Sequence, residues 1–131
     1  MEQGELHYGL SLKLYFENKA FGPGMSLLLR GVESTGSLQG AAQAMSMAYS
    51  KAWKMLKDSE KAWGFPLTER ETGGRDGGGS TLTPQAVSLL EAYDGFMAET
   101  RQELDRLFNE HFSPEWVEDL RRSAEKQEDE R

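Results

Sequence analysis

The chain of 131 residues contains no cysteine, which excludes disulfide bridges and thiolate metal sites. It also has no apolar run near the roughly 20 residues that a transmembrane helix needs. Residues 1–10 carry acidic side chains but no lysine or arginine, whereas a secretory signal peptide begins with a basic segment. From these absences we expect a cytoplasmic protein without a membrane partner.

Histidine is nearly absent as well, and the two that occur, His7 and His111, are isolated in the sequence. There is no His/Cys cluster with metal-ligand spacing, and the acidic C-terminal part has no calcium-loop pattern. Nothing orders a serine, a histidine and an aspartate as a nucleophile and its base. We therefore expect no enzyme, no metal site and no cofactor, and we interpret both histidines as surface or packing residues.

Basic residues are outnumbered by acidic ones, 15 to 22, which gives a net charge of −7. This balance argues against a nucleic-acid partner, but the charge is unevenly distributed. Residues 83–131 hold six basic and thirteen acidic side chains, while residues 30–82 hold seven and six. Because phosphate binding depends on local charge, the middle of the chain remains compatible with DNA.

The hydrophobic pattern of the first half predicts one strand followed by three helices. Residues 10–16 alternate apolar and polar, which is typical of a half-buried strand. Helical patterns then cover residues 25–32, 38–44 and 48–62. Ser37 is suited to cap the second of these helices.

A hairpin with a glycine-rich tip is predicted next. Strands over residues 67–71 and 81–82 flank a segment with five glycines in the seven residues 73–79, which cannot hold a helix or a central strand. A flexible connector is an alternative interpretation. A nucleotide phosphate loop is not favoured, because the segment lacks the Gly-Lys-Ser/Thr ending and the helix start that such a loop needs.

A long helix is predicted from Pro84 to about His111, with Thr83 as its N-cap. Its apolar residues recur in a paired-helix pattern, and a dimer interface is the interpretation we adopt, although periodicity does not separate it from core packing. The predicted interface residues are Leu90, Tyr93, Met97, Leu104 and Leu107. A short helix is expected from residue 113, and a charged, mobile tail over residues 121–131.

The order of these elements predicts a mainly α fold with a small β-hairpin, a winged helix-turn-helix followed by a long dimerisation helix. We assign residues 1–83 to the DNA-binding domain, 84–112 to the dimerisation helix, and 113–131 to the short helix and tail. The third helix would enter the major groove of DNA, and the hairpin would be the wing.

The first turns of the third helix supply most of the predicted DNA contacts. Lys51 and Lys54 can neutralise phosphates, and Ser50 can hydrogen-bond a base edge or a phosphate. Trp53 is assigned to the core, and a solvated helix face is the alternative for the lysines. The full set assigned to DNA, with the wing tip included, is Ser37, Ala48, Tyr49, Ser50, Lys51, Lys54, Arg75 and Gly77.

Four segments resemble the N-terminal domain of ModE-type molybdate-responsive regulators, and more distantly the DNA-binding domain of LysR-type regulators. They are residues 36–42, 49–53, 69–75 and 77–83. The resemblance implies a homodimer on a palindromic site, joined through the long helix. Such regulators usually carry C-terminal oxyanion-binding domains. Because only about twenty residues follow the long helix, we expect a DNA-binding domain alone.

Double-stranded DNA and a second copy of the chain are thus the expected partners, and transcription regulation the expected function. Two alternatives remain open. A winged helix also serves as a protein-interaction module, for which the acidic C-terminal part would suit a basic partner. An oxyanion-responsive regulator, acting through helix N-termini and wing glycines, is the other. A separate effector or partner protein is compatible with any of the three.

Overall fold

The computed structural model of this chain describes residues 4–71 and 79–130. These residues form two compact units. The larger unit covers residues 11–95, and the smaller combines residues 4–10 with residues 96–130. Among the described residues, no helix is both long enough and apolar enough to cross a bilayer.

The larger unit contains two antiparallel hairpins and four helical segments. Their bounds in chain order are β1 Leu14–Tyr15, β2 Lys19–Phe21, α1 Pro23–Thr35, α2 Leu38–Ala44, α3 Tyr49–Trp63, β3 Thr68–Arg70, β4 Ser80–Leu82, and the first part of α4 Pro84–His111. Strand β1 pairs with β2, and β3 pairs with β4. This is the winged helix-turn-helix and long helix that the sequence predicts, with β3 and β4 as the base of the wing.

The side-chain caps predicted from the sequence are confirmed. Ser37 Oγ accepts the Gly40 N–H at 2.9 Å and begins α2. Thr83 Oγ1 accepts the Ala86 N–H at 3.1 Å and donates to the Pro66 carbonyl at 2.9 Å. Each cap satisfies a backbone group that the first helical turn would leave unpaired.

The first strand is much shorter than predicted. The expected strand over residues 10–16 is reduced to Leu14–Tyr15, with an irregular register between its two residues. Leu12 still turns inward, but its carbonyl accepts the Tyr93 hydroxyl of α4 rather than a strand N–H. Phe16, expected on the buried face, is 59% exposed. The alternation of apolar residues therefore predicts the inward-facing side chains correctly as far as Leu14, but it does not predict which residues pair as a strand. The partner strand β2 has only three residues and reaches only the end of the segment.

A layer of fully buried side chains joins α1 to both hairpins and to α4. Its largest members are Phe21, Leu28, Leu29, Val32, Leu67 and Leu90. Helices α1 and α2 approach so closely at Gly31 that a β-carbon there would lie 2.8 Å from the Ala41 Cβ. The small residues at this crossing are therefore required by the distance between the two helices.

Leu90 and Tyr93 belong to this core, which corrects their assignment to a dimer interface. They are only 2% and 4% exposed. The Tyr93 ring packs edge-on against Phe21 with centroids 5.1 Å apart. The heptad spacing of α4 therefore reflects, in its first turns, packing within the chain rather than against a second chain.

The hydrogen bond of the buried Tyr93 hydroxyl should contribute measurably to the free energy of unfolding. Its hydrogen bond to the Leu12 carbonyl is 2.8 Å long, so Tyr93→Phe should lower the free energy of unfolding by about 1 kcal/mol. Burial raises the pKa of Tyr93 above its ordinary value of 10.0. The unfolded chain therefore loses this proton first, and the stability from Tyr93 is complete below pH 10 and falls as pH rises above it.

Urea unfolding of the wild type and of Tyr93→Phe at several values between about pH 8 and pH 11 checks both points. The difference between the two proteins should shrink above pH 10. Tyr8 remains in both proteins, so its titration cancels in the comparison. A difference that is constant over the whole range would contradict the assignment.

The smaller unit is held by a run of aromatic side chains. The Tyr8 ring lies 5.4 Å from Phe108, and its hydroxyl donates to the Asp105 carboxylate. Phe108 contacts Phe112 at 5.6 Å, and Phe112 meets Trp116 edge-on at 5.5 Å. These contacts join the N-terminal segment and the end of α4 to the following helix.

That following helix, α5, runs from Pro114 to Asp129, which corrects the expectation of a short helix and a mobile charged tail. Ser113 caps it by accepting the Trp116 N–H at 3.2 Å. The residues after position 120 are mostly glutamate, lysine, arginine, glutamine and alanine, which rank among the best helix formers. Their charge indicated solvent exposure, and it did not indicate loss of the helix.

Candidate nucleic-acid interface

A tight turn of four residues, 45–48, joins α2 to α3. The Met47 N–H donates to the Ala42 carbonyl at 2.9 Å, and the Ser46 N–H donates to the Gln43 carbonyl at 3.0 Å. Ser46 has a left-handed φ of 52°, which non-glycine residues adopt mainly in turns. The turn fixes the direction in which α3 leaves α2, and so completes the helix-turn-helix.

Helix α3 buries one side and exposes the other. Ala52, Leu56 and Ser59 face inward, and Ser59 Oγ donates to the Ala20 carbonyl. At the end of the helix Trp63 Nε1 donates to the same carbonyl at 3.0 Å. These contacts lock the rotation of α3 about its axis, so the identity of the exposed side is fixed.

The structure brings together most of the residues assigned to DNA. Ala48 and the α3 residues Tyr49, Ser50, Lys51 and Lys54 are all exposed within the first two turns of the helix. Ala48 supplies no side-chain cap, and the first turn contains no acidic residue. The first turn of α3 itself therefore places no carboxylate at the positive end of the helix dipole.

Of the three other residues of the predicted set, the structure describes only Ser37. Ser37 is half-buried, and its oxygen is engaged in capping α2, which gives it a structural contact. Arg75 and Gly77, predicted at the wing tip, lie outside the described residues.

Trp53 was assigned to the core, and that assignment is wrong. Its side chain is 49% exposed, on the same side of α3 as Tyr49, one turn earlier. Ala52 takes the inward position, and the next residue of a helix points about 100° away from it. The sequence signal that was missed is the helical spacing of Ala52, Leu56 and Ser59, which already defines the buried side without Trp53.

A groove of about 560 Å³ runs between α3 and the base of the wing. Trp53 and Lys57 form part of one wall, and Arg70 of β3 and Ser80 of β4 lie on the other. The Lys57 ammonium lies 5.7 Å from the centre of the Trp53 ring, within the range of a cation–π contact. The sequence pattern does not assign Lys57 to DNA, because only the folded hairpin places Arg70 at the same groove.

The wing base is tied to the rest of the unit on both strands. The Leu67 N–H donates to Glu60 Oε2 of α3 at 2.7 Å, and the Thr83 N–H donates to the Leu67 carbonyl at 3.1 Å. On the other strand, the Ser80 N–H donates to the Gly36 carbonyl at 2.7 Å. The groove therefore has two fixed walls.

Comparison with known proteins identifies this region. Residues 27–87 match the family described as bacterial regulatory helix-turn-helix protein, lysR family. The transcriptional regulator ModE of Haemophilus influenzae is 42% identical over 67 residues, which are 51% of this chain and 26% of that protein. The DNA-binding transcriptional dual regulator ModE of Escherichia coli K12 is 34% identical over 86 residues, which are 65% of this chain and 32% of that protein.

The molybdenum transport protein ModE of Herbaspirillum seropedicae is similar too, at 39% identity over 66 residues, 50% of this chain and 24% of that protein. The matches thus cover only about a quarter to a third of the length of these relatives. Residues 27–87 therefore resemble a helix-turn-helix domain of the lysR type, and the predicted resemblance to ModE-type regulators is confirmed.

Proposed function

We propose that this protein, built around a lysR-type helix-turn-helix domain, binds double-stranded DNA as a homodimer and regulates transcription. The observation that carries the proposal is the exposed row of Tyr49, Ser50, Lys51 and Lys54 at the start of α3. A helix that follows a tight turn in this way presents its N-terminal residues to the major groove. The names of the relatives, which include transcriptional regulators, support the same function.

Within that proposal the exposed residues have different roles. Ser50 and Tyr49 reach base edges, while Lys51 and Lys54 bind the phosphates on either side. The uncapped start of α3 favours a phosphate near its first N–H groups. Arg75 and Gly77 remain proposed contacts at the wing tip, beside the backbone or the minor groove.

The proposal does not extend to molybdenum. Two relatives are named for molybdenum transport, but the aligned residues cover 24% and 30% of those proteins. What this chain shares with them includes the helix-turn-helix, and this shared part gives grounds for DNA binding alone.

The test of DNA binding uses labelled genomic fragments, including the chain's own promoter, with excess unlabelled competitor. We expect some fragments to bind saturably and to survive the competitor, because specific sites typically bind at least about 10³-fold more tightly than random DNA. If no fragment binds even at low salt, the proposed function is wrong.

The proposed dimer contact uses the apolar residues of α4 that lie beyond the domain core. Met97 and Leu104 are half-buried, and Phe96 and Leu107 are 48% and 37% exposed. Such side chains on one long helix suit packing against the same helix of a second copy. They replace Leu90 and Tyr93, which the core already covers.

Leu107→Glu should break this dimer, because it places a charge in the apolar contact. Gln102→Glu adds the same charge at another exposed position of α4 and is the matched control. Light scattering on the intact protein should give twice the chain mass of 14.7 kDa for the wild type and the control, and a value near the single-chain mass for Leu107→Glu. A monomeric wild type, or a dimer that survives Leu107→Glu, would rule out this contact.

A further inference from the structure

We propose that the groove between α3 and the wing holds one sugar–phosphate strand of the DNA, with Lys57 and Arg70 as its phosphate ligands, and that Glu60 positions Lys57 there and competes with the phosphate. This inference rests on the proposed DNA binding. It adds a second row of contacts, one turn further along α3 than Lys51 and Lys54, and it assigns the cationic groups that would face the strand.

The charge of the groove is the first observation. Lys57 and Arg70 are the only charged side chains that line it within residues 4–71 and 79–130. The other lining groups include Gln39, Thr68 and Ser80, whose amide and hydroxyl groups can donate to phosphate oxygens. In a protein with a net charge of −7, a groove without a lining carboxylate is a local exception that suits a polyanion.

A second groove in the same unit provides the contrast. It has a volume of about 660 Å³ and lies beside the β1–β2 hairpin, on another side of α3. Its lining holds both signs of charge, since it includes Glu17 and Asp58 as well as Lys19 and Lys61. A cationic lining is therefore not a general property of the lysine-rich helix α3, and it belongs to the side that faces the wing.

Lys57 is held in position on two sides. Its ammonium lies over the Trp53 ring and 3.2 Å from Glu60 Oε1. Glu60 is only 12% exposed, and its other oxygen accepts the Leu67 N–H. Trp53 and Glu60 thus restrict the lysine side chain, which lowers the conformational entropy that it would lose on binding a phosphate.

Arg70 is available for the same strand. The ion pairs among residues 4–71 and 79–130 do not include it, and its side chain is exposed. Its neighbour across the hairpin is Ser80, whose N–H is fixed by the Gly36 carbonyl. Arginine suits phosphate because its planar donors can bind two oxygens at once.

Glu60 allows a specific test, because one of its oxygens contacts Lys57 and the other accepts the Leu67 N–H. In Glu60→Gln the amide oxygen still accepts the Leu67 N–H, so the wing base is retained. The ion pair with Lys57 and the negative charge near the strand are both lost. We therefore expect Glu60→Gln to increase DNA affinity severalfold, and to increase it less when Lys57 is also replaced.

The experiment measures the affinity of the full chain for one selected duplex at about 50 and 200 mM salt. Lys57→Gln and Arg70→Gln should each weaken binding about tenfold and reduce the slope of log affinity against log salt by about 0.9, the value expected for one phosphate contact. Lys61→Gln, which removes a lysine of α3 from the other groove, is the control and should leave the slope unchanged.

The outcomes separate this inference from the proposed function. If the wild type binds no duplex, the proposed function fails. If the wild type binds but Lys57→Gln and Arg70→Gln keep its salt slope, the groove does not hold the strand and only this inference is overturned. Weaker binding by Glu60→Gln would overturn its competition with the phosphate. A gain that is as large in the Lys57→Gln background as in the wild type would overturn its action through Lys57.

Discussion

Replacing Lys51 and Lys54 together by glutamine is expected to weaken duplex binding by at least about a hundredfold, since a hydrogen bond to a charged group contributes roughly 1.5–3 kcal/mol and two are lost. Both side chains are exposed on the first turns of α3. Lys54 also pairs with Asp58 at 2.8 Å, but both groups of that pair are open to solvent, so its loss changes the stability of the fold little.

The salt dependence distinguishes phosphate contact from damage to the fold. The double variant should lose about 1.8 from the slope of log affinity against log salt, which corresponds to two phosphate contacts. Lys13→Gln/Lys126→Gln changes the net charge by the same amount away from α3 and is the matched control. If both double variants keep the wild-type slope, Lys51 and Lys54 do not contact phosphates.

Gly31→Ala is expected to lower the free energy of unfolding by about 1–3 kcal/mol, the range for overpacking a well-packed contact. Helix propensity alone predicts the opposite, a gain of about 1 kcal/mol for alanine over glycine. We expect the packing effect to exceed the propensity effect, because the new β-carbon would lie 2.8 Å from Ala41 Cβ and 3.0 Å from Ala41 Cα. Neither atom can yield without a shift between α1 and α2.

Gly24→Ala is the matched control within α1. A β-carbon there meets only the terminal methyl of Met55, at 3.2 Å, and that flexible side chain can move aside. Urea unfolding should show the loss for Gly31→Ala alone, and Ala41→Gly should recover part of it in the Gly31→Ala background. A Gly31→Ala protein as stable as the wild type would show that the two helices separate at no cost.

The elements that local sequence determines were predicted closely. The caps at Ser37 and Thr83 and the end of α3 near Gly64 depend on residues within a few positions of each helix end. Gly64 adopts a left-handed φ of 88°, as expected of a helix-ending glycine. The order of helices and the wing followed from these signals, and they sufficed to predict the fold and the exposed start of α3.

The sequence does not show whether an apolar residue is buried or exposed where that depends on contacts between distant elements. Leu90 and Tyr93 fit a heptad, but both are buried within the chain, and Tyr93 packs against Phe21 of a hairpin more than 60 residues away. Trp53 is large and apolar, yet it lies outside the buried side of α3. Composition cannot assign such residues, because a side chain's partners come from distant parts of the chain.

The groove beside the wing was missed for the same reason. In the sequence, Glu60 is one of several charged residues on a polar helix. Only the folded structure shows that it accepts a hydrogen bond from the Leu67 N–H at the base of the wing. Likewise Arg70 and Lys57 line the same groove, although they belong to different elements that the sequence pattern does not connect. Within residues 4–71 and 79–130, Arg70 forms no ion pair.

We propose above that this chain reads DNA sequence as a two-fold symmetric dimer through α3. The most direct measurement is selection of bound duplexes from a random-sequence library by the full chain, followed by sequencing. We expect an enriched inverted repeat whose half-sites lie about one helical turn apart, 10–10.5 base pairs, or a multiple of it. Recovery of unenriched sequences, or of a single half-site without a symmetric partner, would contradict the account.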